Sequence, residues 1–331
     1  MATIFLSHTP DMLANYYGPR ALAALGKLGT VRRNPSGEVL GAEALAVAAR
    51  GCEIIVSDRQ TPGEARFFAK APDLVAFLRV AVDIRNIDVA AASRAGVLVT
   101  HATPGFVASV AEMAVGFMVD LGRSVTDSAL VYRSGQAPTA RMGRQLKGSI
   151  LGIIGYGAIG QYLAALGKAL GMSVLVADPH KTVTDPVLRQ VGLAVLLGEA
   201  DFVVCLAVAT EATESLMDAA AFARMRRSAY FINLSRGNLV DEAALEAALA
   251  ERRIAGAAMD VGRAQDQMPA LRLARRADVI ATPHSAGLTP QAIEHQAFDT
   301  VSQVAELLAG RVPPGAVNAA EATRLKRLAK A

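Results

Sequence analysis

The sequence predicts an α/β protein of two domains, each built on a parallel sheet wrapped by helices. Three observations predict it. Short apolar runs alternate with helix-length amphipathic stretches through the first hundred residues. A second alternating series begins at Ile150, after a polar connector from Val131 to Gly148 that Gly135, Pro138 and Gly143 interrupt. A glycine-rich turn follows the first apolar run of that second series.

The expected strands of the first series are Ile4-Phe5-Leu6, the run at Val31, Ile54-Ile55-Val56, Val75 to Leu78 and Val97-Leu98-Val99. Between them lie helical patterns such as Pro19 to Leu28 and Gly41 to Ala49. A longer helix is expected from Ser109 to Arg123, with Val110, Met113, Ala114, Phe117 and Leu121 along one face. The second series offers strands at Ile150–Ile154, Val174–Ala177, Phe202–Leu206, Tyr230–Asn233, Ala257–Asp260 and Val279–Thr282, and a final helix from about Pro290 to Gly310.

Composition narrows the class. Of the 331 residues, 52% are apolar or aromatic, enough for a sizeable core, yet no apolar run reaches the length of a membrane span. The N-terminus reads as a strand and not as a signal peptide. Cys52 and Cys205 are two isolated thiols in apolar settings, which argues for buried free cysteines and a cytoplasmic protein. Arg324, Lys326, Arg327 and Lys330 against Glu321 place three of the four net positive charges in the last eleven residues, so a solvated helical tail explains the basic balance. With 5% aromatics there is no basic, aromatic-studded stripe for nucleic acid.

The turn reads Gly155-Tyr156-Gly157-Ala158-Ile159-Gly160. A lone GxGxxG is a weak signal, but here a strand precedes it, a helix follows it, and the strand Val174–Ala177 closes a βαβ unit at Asp178. Gly155 permits the tight turn, Gly157 lets a pyrophosphate approach the backbone, and Gly160 lets helix and strand pack closely. The helix N-terminus at Ala158 and Ile159 presents unpaired N–H groups to the phosphates. Asp178, eighteen residues after Gly160, stands where a carboxylate accepts from the adenine ribose and repels a 2′-phosphate. NAD is therefore favoured, while His180 and Lys181 leave NADP open. Tyr156, Ala207, Thr213 and Ser235 complete the expected cofactor contacts, and no metal is called for.

Four further segments carry a family likeness. Ile232-Asn233-Leu234-Ser235-Arg236-Gly237-Asn238-Leu239-Val240-Asp241 resembles an INxxRGxxVD signature, and Gly256 to Val261 resembles a GAALDV strand. Thr282-Pro283-His284-Ser285-Ala286-Gly287 resembles TPHxAG, and Pro104-Gly105 before Val110-Ala111-Glu112 resembles the start of a long interdomain helix. In order and spacing, from roughly Leu74 to Leu307, the chain is similar to the D-isomer-specific 2-hydroxyacid dehydrogenases. The resemblance implies two Rossmann-like or flavodoxin-like domains: a discontinuous substrate domain, 1–99 with 290–331, and an NAD-binding domain, 100–289. It implies a homodimer, with a 2-hydroxy or 2-oxo acid as substrate. Arg236 would hold the carboxylate and polarise the C2 oxygen, His284 would exchange the C2 hydroxyl proton, and Asp260 would hold the nicotinamide amide. The residue types suit those tasks. A histidine titrates near neutral pH, and the planar guanidinium fork matches a carboxylate.

Two departures stand out. Where the family reads DVFExEPLP, this chain reads Asp260-Val261-Gly262-Arg263-Ala264-Gln265-Asp266-Gln267-Met268-Pro269. Gln265 occupies the place of the glutamate that partners the histidine. Pro269 comes one residue late, so a one-residue insertion would bring Asp266 into that role, and both remain candidates. Where the family's substrate loop reads RxGxGxDNxD, this chain has Arg79-Val80-Ala81-Val82-Asp83-Ile84-Arg85-Asn86-Ile87-Asp88. Arg79, Ala81, Val82 and Asp83 are the expected substrate contacts. Ala81 and Asp83 replace glycines, which narrows the loop and adds a negative charge; Arg79 and Arg85 either contact a second acidic group or, the favoured reading, are solvated. Besides a 2-hydroxyacid dehydrogenase, the sequence is compatible with a same-fold oxidoreductase of another substrate and with a dinucleotide-sensing binding protein.

Overall fold

The computed structural model describes residues 2–264 and 267–330. The chain divides into two compact units, Met1–Gly105 with Thr289–Ala331, and Phe106–Leu288.

The first unit holds β1 (Thr3–Leu6), β2 (Thr30–Arg33), β3 (Ile54–Ser57), β4 (Ala76–Arg79) and β5 (Leu98–His101). They form one parallel sheet in the order β2-β1-β3-β4-β5, the flavodoxin-like arrangement. The inner strands β1, β3 and β4 are mostly apolar because helices cover both faces, whereas the edge strand β2 is polar and largely exposed. Ile4, Leu6, Ile54, Val56 and Leu78 pack on one side with Leu25 of the Pro19–Gly26 helix, and with Val304 and Leu307. The intervening Phe5, Ile55 and Phe77 pack on the other with Leu45, Phe67 and Phe68. Val304 and Leu307 belong to the Pro290–Leu308 helix, which starts on a Thr289 cap with proline in its first turn, a combination that suits a helix N-terminus.

Two expectations fail in this unit. The C-terminal tail is not a solvated helix. It forms two 3-10 segments, Ala319–Glu321 and Thr323–Lys330, with Ala322 and Leu328 buried. Arg324 donates to the carbonyls of Ala71 (2.7 Å) and Leu74 (2.8 Å), and Arg327 to that of Pro72 (2.8 Å). The basic side chains serve as donors to carbonyls of the 71–74 loop. Arg79 is not solvated either: it is 0% exposed. Its guanidinium donates to the Asp58 carbonyl, to the Thr61 carbonyl (2.9 Å) and to Asn86 Oδ1 (2.7 Å). Its place at the end of a buried strand decided this; the two terminal nitrogens are paired, while Nε has no hydrogen-bond partner among the described residues. Burial pushes the Arg79 pKa down to about 10, against the opposing charges of Asp58 and Asp83. Arg85 is solvated, as expected, and pairs with Asp83 at 2.6 Å.

The second unit holds β6 (Ile150–Ile154), β7 (Ser173–Ala177), β8 (Arg189–Gln190), β9 (Phe202–Cys205), β10 (Tyr230–Asn233), β11 (Gly256–Met259) and β12 (Val279–Ala281). All are parallel, in the order β12-β11-β10-β9-β6-β7-β8. The order reverses between β6 and β9, the position where open α/β sheets bind ligands. Alternate strand residues again feed two cores, Ile154, Val203 and Cys205 in one, Ile153, Phe202 and Val204 in the other. The long helix runs Val107–Arg123 and stops at Ser124, whose φ of 51° is left-handed. A second helix, Val125–Arg133, then takes the first residues of the expected connector. Strand β8 was not legible in sequence, since its two residues are both exposed and polar. Among the described residues no helix is long and apolar enough to cross a membrane.

His8 gives the first unit a pH dependence. Burial is the main cause that pushes its pKa down to about 4; Asp58 opposes this and Arg79 adds to it. Its Nδ1 has no hydrogen-bond partner among the described residues. Between about pH 6.5 and 4 the unfolded chain binds a proton that the folded chain refuses, so stability falls as pH is lowered through that window, by about 1.4 kcal/mol per pH unit. Urea unfolding of wild type and His8→Phe between pH 7 and 4.5 should show a shallower loss in the variant. Parallel curves would refute the assignment.

Candidate active site

Most of the described candidate residues of the second unit lie just beyond the C-terminal end of a strand. Gly155 follows β6, Leu206 and Ala207 follow β9, Asp260 follows β11, and Arg236 and His284 each come three residues after β10 and β12. Register brings these ends level, with Ile154 beside Cys205, Cys205 beside Asn233, Asn233 beside Met259 and Met259 beside Ala281.

The glycine turn is built as its spacing predicts. Gly155 has φ of 98°, and a Cβ there would lie 2.7 Å from the Ala207 nitrogen, so the turn presses directly on the end of β9. A Cβ at Gly160 would lie 2.3 Å from the Gly155 carbonyl oxygen, which is why the Ala158–Ala169 helix can start so close to the strand. Gly157 differs: nothing lies within 4 Å of its Cβ position, and both Gly157 and Ala158 are exposed. The turn is therefore packed tightly behind and open in front, at the N-terminus of a twelve-residue helix, where a pyrophosphate is held by unpaired N–H groups. Asp178 accepts from Tyr156 N (2.7 Å), His180 N (2.8 Å) and Lys181 N (3.0 Å). Partial burial opposes them, but these three donors hold its carboxyl below the usual range. The charge is thereby fixed beside the turn, and His180 and Lys181 are drawn to it by their backbone N–H groups. The open cradle and the anchored carboxylate fit NAD.

Arg236 stands at the start of the 3-10 turn Gly237–Leu239. Buried Asn233 shapes this loop: its Nδ2 donates to the Arg236 carbonyl (3.0 Å) and its Oδ1 accepts from Ser235 N (3.1 Å). Ser235 Oγ donates to the Ala207 carbonyl at 2.5 Å, which ties the Arg236 loop to the end of β9. Thr213 closes the turn beyond β9, donating to the Val208 carbonyl (2.8 Å) and accepting from Thr210 N (2.8 Å).

His284 has φ of 52°, and its N–H donates to the carbonyls of Asp260 (2.9 Å) and Thr282 (3.0 Å). The Asp260 carboxylate, 1% exposed, accepts from Thr282 Oγ1 (2.6 Å), Ser285 N (2.8 Å) and Ala286 N (2.9 Å). It is the scaffold of the His284 loop, a role that sequence reading missed for Asp260, as it did for Asn233. Both lie inside recognisable motifs, but which backbone groups they serve depends on strand neighbours. Gln265 and Asp266 lie outside the described residues. In the first unit, Ala81 is half-buried and its carbonyl accepts from Ala102 N (3.0 Å), while Val82 and Asp83 are exposed.

Comparison with known proteins decides the family. Residues 115–286 match the model of the D-isomer specific 2-hydroxyacid dehydrogenase, NAD binding domain. The chain belongs to the D-isomer specific 2-hydroxyacid dehydrogenase family. It is 35% identical to an (S)-sulfolactate dehydrogenase of Chromohalobacter salexigens over 79% of this chain and 86% of that protein. It is 34% identical to a D-3-phosphoglycerate dehydrogenase of Synechocystis sp. over 72% of this chain, a match that spans only 44% of that longer relative. The solved structure of D-2-hydroxyisocaproate dehydrogenase shares the fold, with TM-score 0.85 at 23% identity, covering 96% of this chain and 100% of that one. Family membership makes the chain an NAD-dependent oxidoreductase and its second unit an NAD-binding domain.

The Asp178 arrangement predicts cofactor choice. Asp178→Ala should weaken NADH binding about tenfold, the loss of one charge-assisted bond, and weaken NADPH less or not at all. Titration by nicotinamide fluorescence reads both, and an unchanged NADH affinity would remove Asp178 from the site.

Proposed function

We propose that this dehydrogenase interconverts a small 2-oxo acid and its 2-hydroxy acid in the cytoplasm, as a homodimer, with Arg236 and His284 at the reacting carbon. The observation that carries the reading is the common sheet edge. The loops bearing Arg236 and His284 leave the same edge as the open glycine turn, each anchored by a buried polar side chain, Asn233 or Asp260. Bound NADH supplies the hydride to C2. Arg236 holds the substrate carboxylate and draws charge onto the C2 oxygen through its planar fork. His284, protonated, gives its proton to that oxygen, and in the reverse direction the neutral ring takes it back. Asp260 keeps His284 in place, and its remaining acceptor capacity is assigned to the nicotinamide amide.

Of the two residues offered for the histidine's partner, Asp266 is proposed over Gln265, because a carboxylate stabilises the imidazolium and an amide does not. Ala81, Val82 and Asp83 are proposed to set which acid is accepted. Arg79 is left out of that set, since it is fully buried and both terminal nitrogens are held by carbonyls and Asn86 inside the first unit.

The test is NADH oxidation with glyoxylate, hydroxypyruvate, phosphohydroxypyruvate and sulfopyruvate, followed at the nicotinamide absorbance. Turnover of at least one acid is expected. His284→Ala should lower kcat on the order of 10²–10⁴-fold with NADH binding retained. Tight NADH binding without turnover of any 2-oxo acid would overturn the reading in favour of a dinucleotide-sensing protein. For Asp266, the pH profile of the reduction decides. Reduction fails as pH rises through the histidine pKa, and losing a neighbouring carboxylate lowers that pKa, so Asp266→Asn should move the alkaline fall to lower pH. Gln265→Ala should leave it in place. The opposite pattern would exchange the two roles.

A further inference from the structure

The segment after β11 departs from the family at two adjacent places, Gly262 and Arg263, where the family pattern has phenylalanine and glutamate. The structure gives the pair one purpose. A Cβ at Gly237, the residue after Arg236, would lie 2.0 Å from the Gly262 carbonyl carbon and 2.6 Å from Arg263 N, so the two loops meet backbone against backbone. A Cβ at Gly262 would itself lie 2.4 Å from the Met268 carbonyl oxygen, so no larger residue fits this path. From that contact the Arg263 side chain reaches along the loop that carries Arg236. Its Nε donates to the Val240 carbonyl (2.8 Å), and its Nη2 to the Asn238 carbonyl (2.8 Å) and Ser215 Oγ (2.9 Å). The guanidinium pairs with Glu214 at 2.7 Å, and Glu214 also accepts from Asn238 Nδ2 (3.0 Å). The Arg263 N–H is held by Glu242 Oε1 (2.9 Å), a buried carboxylate that also pairs with Arg272 (3.1 Å). Both carbonyls that Arg263 binds belong to the few residues following Arg236.

We propose that Arg263 is a positioning residue for Arg236, a clamp that fixes the turn Gly237–Val240 and so the angle at which the Arg236 guanidinium is presented to the acid. The inference rests on the reading of Arg236 as carboxylate anchor. A guanidinium suits the task because it donates in several fixed directions at once, where a lysine ammonium is a single flexible point. The family's glutamate at this position has no donor to offer these carbonyls. None of these bonds touches the glycine turn or Asp178; the two carbonyls that Arg263 holds lie in the loop of Arg236, so the clamp is assigned to the acid.

The experiment compares wild type, Arg263→Ala, Arg263→Lys and Glu214→Gln. It reads steady-state kinetics on the 2-oxo acid that wild type turns over, NADH affinity, and hydrogen exchange of the peptide spanning 236–242. Arg263→Ala should lower kcat/KM for the acid by about tenfold to a hundredfold, the cost of a guanidinium held roughly 1 Å out of place. NADH affinity should stay within about twofold, and exchange at 236–242 should rise while the strands are unaffected. Arg263→Lys should recover part of the loss, and Glu214→Gln should show a smaller defect of the same kind. An unchanged kcat/KM overturns the proposal. So does a loss that tracks lowered NADH affinity and faster exchange across the whole unit, which would mark Arg263 as merely structural. Failure of the enzyme reading is distinguishable, because then wild type itself turns over no acid. The exchange result judges the clamp even in that case, and unchanged protection at 236–242 removes it.

Discussion

The buried carboxylate of Asp260 is the interaction on which the second unit's proposed chemistry rests. It takes Thr282 Oγ1, Ser285 N and Ala286 N, and its own backbone carbonyl takes His284 N. A carboxyl group buried at this depth needs hydrogen-bond partners, and here they come from the loop that must be shaped. The same carboxylate thus explains why residue 284 adopts a left-handed backbone, a conformation that a non-glycine residue rarely holds without support.

The Arg236 loop is held by the same kind of device with different parts. Asn233 ends its strand fully buried and spends both ends of its amide on residues 235 and 236. Ser235 then reaches the end of the neighbouring strand, and Gly237 lies against Gly262. Arg236 and His284 are each carried by a loop, and each loop is rooted in a buried polar residue on or just after a strand. Precision at the tip therefore comes from the sheet and not from the loop itself.

The first unit also buries charge, and burial moves titration there even where donors and acceptors are paired. Arg79, His8 and Asp58 lie within its interior, and burial shifts the first two strongly away from their ordinary titration. Sequence reading favoured a solvated Arg79 because long cationic side chains usually keep their charged heads in water. The strand before it is apolar on both faces, and the last residue of such a strand is still inside.

Much was legible without coordinates. The alternating apolar runs, the glycine turn and the order of four motifs determined the fold class, the dinucleotide site and the family, because each depends on local spacing along the chain. Tertiary structure alone decided the rest: the burial of Arg79, the docking of the basic tail, the scaffolding by Asp260 and Asn233, and the reach of Arg263. In each of these a polar group meets a partner brought close by packing or by strand order, often dozens of residues away in sequence. Residue type shows that such a group needs a partner, but only packing and strand register choose which one it finds.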